Sequence, residues 1–558
     1  MKRIIKSIFL ILSPQEKGRL HWLIAFDVLV ALLDIAFLGA LLLIINFYTQ
    51  ASGSSKLNWL PPQLADRESL LLIGIFLLLF ALKNVLGFVV QKAQHHFFYA
   101  VASRLSKRNM LNYLRGSYTQ YIHTDSSVQT RRISHQPIEF GHHILTNFQQ
   151  MICQAVLIIF TIAAILFYHP SLFLILFVLL LPPVSLLAWF GRRKLRALRG
   201  RIKAASARSI KHVNEALAGY VESRIYEKED FFSNRYVADQ QQLNNTIAAQ
   251  QTWQGLPSRL MEVFAVMGFF ILIAVNKYTA NAPAVNLLTI GVFMAAAYKV
   301  IPGIVKIMNS AGQMKTYEFI LADLINGTEE EAQLSGTSTV ETIRSVEFDS
   351  VDFNYKEHAI IHDISFRLTR GDMVGISAGS GRGKTTMINL LLGFLQQDAG
   401  EICINNTVCD AAARQGYQHK ISYVKQQPFL INESVLKNIT LTDDDFDEDR
   451  LRYVIAFCGL DSLLKAYPGG ICKLISQDGK NISGGQRQRL MLARALYHHF
   501  DLLILDEPFS ELDAEAEHEL LTNLQGLARQ GKIIILITHN RTSLEFCSQV
   551  ISLDEAYA

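Results

Sequence analysis

Charge is scarce in this 558-residue sequence: Asp, Glu, Lys and Arg make up 18% of it, against about 25% in an ordinary soluble domain. Half of the residues are hydrophobic and the mean hydropathy is positive, +0.21, which excludes both a disordered chain and a wholly soluble enzyme. A net charge of +4 over this length is too small to point to nucleic acid as a partner. With 13 prolines and 33 glycines, collagenous and low-complexity material are excluded as well. The six cysteines (Cys153, Cys403, Cys409, Cys458, Cys472, Cys547) lack metal-ligand spacing and read as reduced thiols, buried or facing the cytosol. The pairs His95-His96, His142-His143 and His498-His499 come without the carboxylates or thiols that a metal site needs. The opening apolar run, Ile4 to Leu12, is short and meets Ser13-Pro14-Gln15-Glu16-Lys17 instead of a small-residue cleavage site. The N-terminus is therefore expected to be retained, on the cytoplasmic side.

What the sequence does have is long apolar runs. A spanning helix needs about 20 mostly apolar residues to cross about 30 Å of hydrocarbon. Six stretches qualify, at roughly 21 to 48, 69 to 91, 144 to 168, 171 to 191, 260 to 276 and 286 to 305, and none follows residue 310. Basic residues crowd both the start of the chain and the segment from Arg192 to Lys211, whereas the turn Tyr168-His169-Pro170 has neither Lys nor Arg. The positive-inside bias then puts both termini in the cytoplasm, in agreement with six crossings. The links at about 92 to 143 and 192 to 259 are long, polar and rich in helix formers. Spanning helices that continue far into the cytoplasm before turning would account for them.

From about Ser345 short β-rich runs alternate with helical ones, the pattern of a parallel-sheet nucleotide domain. Met373 to Ser377 reads as a buried strand, followed by Ala378-Gly379-Ser380-Gly381-Arg382-Gly383-Lys384-Thr385-Thr386 and a helical run. A glycine-rich turn at a helix N-terminus lets consecutive N–H groups surround a polyphosphate. Lys384 should reach the β- and γ-phosphates, and the Thr385 hydroxyl should ligate Mg²⁺. Ala378 departs from the P-loop pattern, which asks for Gly; if the position requires positive φ, alanine is strained there by about 1 kcal/mol. Leu502 to Leu505 is a second buried strand, ending in Asp506, suited to Mg²⁺, and Glu507, suited to polarising an attacking water.

The order of the remaining pieces carries a family resemblance. Asn481-Ile482-Ser483-Gly484-Gly485-Gln486-Arg487-Gln488-Arg489 precedes the second strand, Ser510-Glu511-Leu512-Asp513 follows it, Gln426 follows Ile421 to Val424, and Thr538-His539 ends the strand Ile533 to Ile537. With the P-loop, this half of the chain resembles the ATP-binding cassette of ABC transporters. The resemblance implies that Tyr355 stacks on adenine, that Gln426 senses both Mg²⁺ and the membrane domain, and that His539 is the switch histidine at the γ-phosphate. It also implies that Ser483, Gly484, Gly485 and Gln486 complete the ATP site of the opposite cassette, and that Asp513 belongs to the contact between cassettes.

Six spans and one cassette resemble an ABC exporter half-transporter of the fold shared by lipid A flippases, bacterial multidrug exporters and the lipid-linked oligosaccharide flippase. The expected architecture is a membrane α-helical six-span domain (1–320), a linker (321–342) and an α/β P-loop cassette (343–558) in the cytoplasm of a bacterial inner-membrane protein. A homodimer is implied, with a heterodimer as the alternative, because one chain completes neither ATP site. ATP and Mg²⁺ would drive alternating access through coupling turns near 117 to 128 and 218 to 230, moving an amphipathic or lipid-linked substrate. An importer built on the exporter fold, as in some siderophore systems, and a membrane-anchored regulatory ATPase remain alternatives. Within the spans, Asp27 and Asp34 share one face of the first and Lys83 lies in the second. A charge at the bilayer centre costs about 2.5 to 3.5 kcal/mol, so Asp34 is expected to pair with Lys83.

Overall fold

The computed structural model describes residues 1–49, 70–116, 126–168, 200–278, 287–325 and 341–553, apart from 203, 356–357, 380 and 477–478, together with 118, 122, 124 and 198. The chain divides into two compact units, Met1–Gly116 with Tyr121–Ser335, and Gly336–Ala558 with Ser117–Gln120.

The first unit is helical. Helix α1 (Lys2–Ile11) turns one apolar face inward, burying Ile4, Ile8 and Ile11, and leaves Lys2 and Arg3 exposed. That face packs on Phe97, Phe98 and Leu105 of α3 (Leu71–Arg115), on Phe140, Ile144 and Leu145, and on Ile320, Leu321 and Leu324. Helices α2 (Pro14–Thr49), α4 (Thr146–Tyr168), α5 (Glu229–Tyr278) and α6 (Leu287–Thr316) complete the set used below. Among the described residues, the stretches Pro14–Ile45, Leu71–Arg115 and Ser126–Ala163 are long and apolar enough to cross a membrane. They cover the first three expected spans; α5 and α6 run through the fifth and sixth, and the fourth lies outside the described residues. On α3 the side chains of Leu77, Leu78, Leu82, Val85, Phe88 and Val89 are exposed, as a lipid-facing surface requires.

Length answers the question raised by the long links. At 1.5 Å per residue, the 45 residues of α3 span about 67 Å and the 50 of α5 about 75 Å, more than twice the hydrocarbon thickness. Upstream of α4 the helical path contains two π-type segments, Arg131–His135 and Phe140–Leu145. In the second, a Cβ on Gly141 would stand 3.1 Å from the Phe98 carbonyl, so glycine permits the close approach to α3. The N-terminal part of α5 is tied to the preceding helical stretch by Arg208 and Asp239 (2.9 Å) and by Ser209 and Gln240 (2.7 Å). The turn between them exposes Leu217, Tyr220, Val221, Ile225 and Tyr226.

The second unit carries two sheets. A four-stranded antiparallel sheet has the order β2-β1-β4-β5, made of β1 (Ser345–Tyr355), β2 (His358–Thr369), β4 (Ala399–Ile404) and β5 (Thr407–Val408). A parallel sheet has the order β6-β7-β8-β3-β9, made of β3 (Met373–Ser377), β6 (Ile421–Val424), β7 (Leu502–Asp506), β8 (Ile533–Ile537) and β9 (Gln549–Ser552). Strands β7 and β8 are buried along their whole length, which explains their unbroken apolar sequence. Alternate side chains serve two cores. Leu503, Leu505, Ile534 and Leu536 pack with Leu490, Leu492 and Leu496, while Leu502, Ile504, Ile533 and Ile535 pack with Phe348, Val374 and Ile388.

Lys83 and Asp34 form the expected ion pair, with Lys83 only 8% exposed and its ammonium 4.9 Å from the centre of the Phe80 ring. Asp27 accepts a hydrogen bond from Gln149 at 3.2 Å. Lys83→Met should lower stability by about 2.5 to 3.5 kcal/mol by leaving the Asp34 charge without its cation. Adding Asp34→Asn should recover part of that loss in thermal melts of the detergent-solubilised protein, and simple additivity would remove the pair as a stabilising unit.

Candidate functional site

Parallel strands in register bring their C-terminal ends to one edge of a sheet, where the following loops can gather ligand-binding groups. Here Ile376 lies opposite Ile537, and Ile537 opposite Asp506. The glycine-rich turn after β3, Glu507 after β7 and His539 after β8 therefore emerge side by side, and Gln426 joins them from the loop after β6.

The turn enters α7 (Lys384–Leu391) through Gly383, whose φ of 85° is left-handed. A Cβ there would also come within 2.9 Å of the Ile360 carbonyl, so the position needs glycine on both counts. Gly379, Gly381, Arg382, Thr385 and Thr386 line the same stretch; Ser380 lies outside the described residues. Ala378 is buried and is not among the residues with positive φ, so the missing glycine brings no backbone strain.

Three functional side chains converge on one carboxylate, that of Glu507. Lys384 Nζ donates to Glu507 Oε1 at 2.7 Å, Gln426 Nε2 donates to Glu507 Oε2 at 2.8 Å, and His539 Nδ1 stands 3.6 Å from Glu507 Oε1. Glu507 itself has φ 47°, a left-handed conformation that costs a non-glycine residue of order 1–3 kcal/mol and is concentrated at working sites. The hydrogen bond from Lys384 holds its carboxyl below the usual range, against a smaller opposing effect of burial. The neighbouring acid is pushed the other way: burial raises Asp506, Lys384 partly offsets this, and the Glu507 charge adds to it. Two adjacent carboxyls thus sit in environments that separate their protonation behaviour.

Oxygen donors from Asp506, Thr385 and Gln426 make a hard set of the kind Mg²⁺ takes, and the Gln426 amide spends its N–H₂ side on Glu507, leaving its carbonyl for other work. Tyr355, at the end of β1, is exposed and meets Phe353 edge-on, with ring centres 4.9 Å apart. Ser483 caps α8 (Gly484–Tyr497) in a reciprocal box: its hydroxyl accepts from Gln486 N at 3.3 Å and Gln486 Oε1 accepts from Ser483 N at 3.0 Å. The box leaves the N–H groups of Gly484 and Gly485 at the helix start for an anion. Asp513 caps α9 (Ala514–Arg529), accepting from Ala516 N at 2.8 Å.

Sequence reasoning passed over several contributors. Tyr423 donates its hydroxyl to Asp506 Oδ2 at 3.4 Å, and Gln488 ties Ser510 and the backbone of Glu511 to α8. Tyr423 reads as one more apolar residue of a strand, and only pairing of β6 with β7 reveals its partner. Tyr118 clusters with the cassette unit, where it stacks on Phe394 at 4.7 Å and accepts from Asn389 Nδ2 at 3.2 Å.

Residues 21–297 match the model of the ABC transporter transmembrane region and residues 361–510 that of the ABC transporter ATP-binding domain. The chain belongs to the ABC transporters. It is similar to the ATP-dependent lipid A-core flippase of Ralstonia nicotianae, 27% identical over 401 residues, which are 70% of this chain and 67% of that protein. A flippase of the same description from Bordetella pertussis is 26% identical over 410 residues, 72% of this chain and 66% of that one. The matched region thus spans about two thirds of these relatives. A bacterial Atm1-family ABC exporter with ATP bound superposes with a TM-score of 0.75 at 18% identity, over 96% of this chain and 95% of that one, which shows the exporter fold. As an ABC transporter of the exporter type, the protein binds ATP and is a transport-coupled ATPase.

Removing the Tyr423 hydroxyl should raise Asp506 further, since that hydrogen bond favours its carboxylate. The acid limb of the ATPase profile in Tyr423→Phe should then move to higher pH, because Asp506 protonates sooner as pH falls; an unmoved limb would show that Asp506 does not govern it. Ala378→Gly should lower thermal stability by roughly 0.5–1 kcal/mol through added chain entropy and leave the KM for ATP unchanged.

Proposed function

We propose that this chain is a half-transporter that works as a homodimer in a bacterial inner membrane, with both termini and the cassette in the cytoplasm. Residues 1–320 form the membrane domain, 321–342 the joint and 343–558 the cassette. The convergence of Lys384, Gln426 and His539 on Glu507, in a chain whose other half is membrane helix, carries the reading.

The chemistry follows from that convergence. Nucleotide phosphate competes with Glu507 for Lys384, since both are anions seeking one ammonium. When ATP binds, the loop Gly379, Ser380, Gly381, Arg382 and Gly383 with Thr386 wraps its phosphates, Tyr355 stacks on the base and Lys384 turns to the β- and γ-phosphates. Glu507, released from Lys384 and still bounded by Gln426, then orients the attacking water, and His539 reaches the γ-phosphate. Thr385, Asp506 and Gln426 would hold Mg²⁺, which would supply neutralisation of the phosphate charge.

Dimerisation is supported by two features. The N–H groups at Gly484 and Gly485 offer a phosphate site, which with Ser483, Gln486 and Asp513 would complete the partner's nucleotide pocket. The turn around 218 to 230 exposes Leu217, Tyr220, Val221, Ile225 and Tyr226, an apolar surface suited to a second copy's cassette, whereas Tyr118 lies on Phe394 in its own chain. Closing and opening of the cassettes would move both turns, and with them the helices, between inward and outward access.

The substrate reading, an amphipathic or lipid-linked molecule exported or flipped, rests on the lipid A-core flippases to which the chain is similar. Reconstituted protein should show ATPase activity stimulated by such lipids, with transfer between leaflets. ATPase activity that no amphipathic compound alters, with no transport in either direction, would favour a regulatory ATPase, and inward transport would favour an importer. Glu507→Gln should bind ATP and accumulate as a closed dimer with turnover down by about 10² to 10⁴; robust hydrolysis by that variant would refute Glu507 as the water-orienting base.

A further inference from the structure

Near the start of α8 the structure holds a charge of its own. The Glu511 carboxylate lies against Gly484 so closely that a Cβ on Gly484 would collide with Glu511 Oε2 and stand 2.5 Å from its carboxyl carbon. Arg487, one turn into the same helix, grips that oxygen at 3.1 Å. The Glu511 backbone is fixed too: its N–H donates to Gln488 Oε1 at 3.0 Å, Gln488 Nε2 donates to Ser510 Oγ at 2.8 Å, and the Glu511 carbonyl stands 3.0 Å from where a Gly485 Cβ would be. Loop 510–513 is thereby laced to the first turn of α8. Its carboxylate rests against Gly484 in the first turn of α8, and 44% of the side chain is exposed.

We propose that Glu511 is an internal anion stationed at the phosphate-receiving end of α8, which sets the ATP concentration at which two cassettes close. The inference rests on the reading that this helix start serves the partner's nucleotide. A helix N-terminus attracts one negative charge, and two anions brought to the same end repel each other. In the separated cassette Glu511 occupies the space beside Gly484 and neutralises Arg487. Closure brings the γ-phosphate of the partner's ATP to the same place, so the carboxylate has to swing out, opposed by its ion pair with Arg487. Glu511 is a positioning residue and touches no reacting atom of its own chain's site.

The test is an ATP titration of ATPase activity with the full chain in lipid nanodiscs. Glu511→Gln and Glu511→Ala, which both remove the charge, should lower the KM for ATP by about three- to tenfold, the effect of one charge at a helix terminus, with kcat held within about twofold. Glu511→Asp, which keeps the charge, should stay near the parent KM. Arg487→Gln should lower KM when Glu511 is present and do so less in the Glu511→Gln background, since the ion pair is what holds the carboxylate where the phosphate must come. A KM that neither charge-removing variant lowers, or an equal drop in Glu511→Asp, overturns the proposal. Repeating the titration in the Glu507→Gln background, with dimer trapping as readout, separates the two levels. If Glu507→Gln fails to pair at any ATP concentration, the two-copy reading falls and takes this inference with it. If it pairs at an ATP concentration that added Glu511→Gln leaves unchanged, the two-copy reading stands and the role of Glu511 is overturned.

Discussion

The register between β3, β8 and β7 is the constraint on which the working half of the molecule depends. Met373 to Ile376 pair with Ile534 to Ile537, and Leu502 to Asp506 with Ile533 to Ile537, so the three strands end together. Backbone groups that leave a sheet at its edge lose their ladder partners and must find others. The glycine-rich turn, the two acids and the histidine are thus collected at one place by hydrogen bonding that has nothing to do with nucleotide. A slip of one residue in either pairing would turn alternate side chains into the wrong core and withdraw Glu507 from Lys384.

The same rule, that polar groups removed from water need partners, shapes the membrane half. Asp34 and Lys83 neutralise each other between α2 and α3, and Asp27 has Gln149. Outside the bilayer the requirement relaxes, and the long helices carry ordinary surface pairs such as Arg208 with Asp239. Buried cations in the cassette follow the rule without a carboxylate. Arg494 is held by the carbonyls of Phe429 and Asn438 and the side chain of Asn438, and burial depresses its pKa to about 10.

Competition among anions for a few positive groups links the two ends of the cassette. Lys384 is paired with Glu507, and Arg487, near the start of α8, is paired with Glu511. Each pair satisfies charges that would otherwise lack a partner, and on the proposed reading each gives way to a ligand carrying more negative charge.

Local signals made much of this legible in advance. Apolar runs located the helices because hydrocarbon imposes a minimum length, and the glycines, Lys384, Asp506 and Glu507 were readable because phosphate chemistry demands those residue types in that order. The Asp34 and Lys83 pair could be foreseen because an unpaired charge in lipid is so costly. Other features depended on contacts between residues far apart in the chain. Whether Ala378 was strained turned on its φ, the Tyr423 bond to Asp506 on the pairing of β6 with β7, and the placing of Glu511 against Gly484 on how a loop folds back over a helix start. Composition and spacing determine which elements form and which chemistry they can do, since those follow from each residue and its near neighbours. Which acid faces which cation is decided only when packing brings distant segments within hydrogen-bonding distance, because electrostatic and hydrogen-bond energies depend on that separation and not on the order of the sequence.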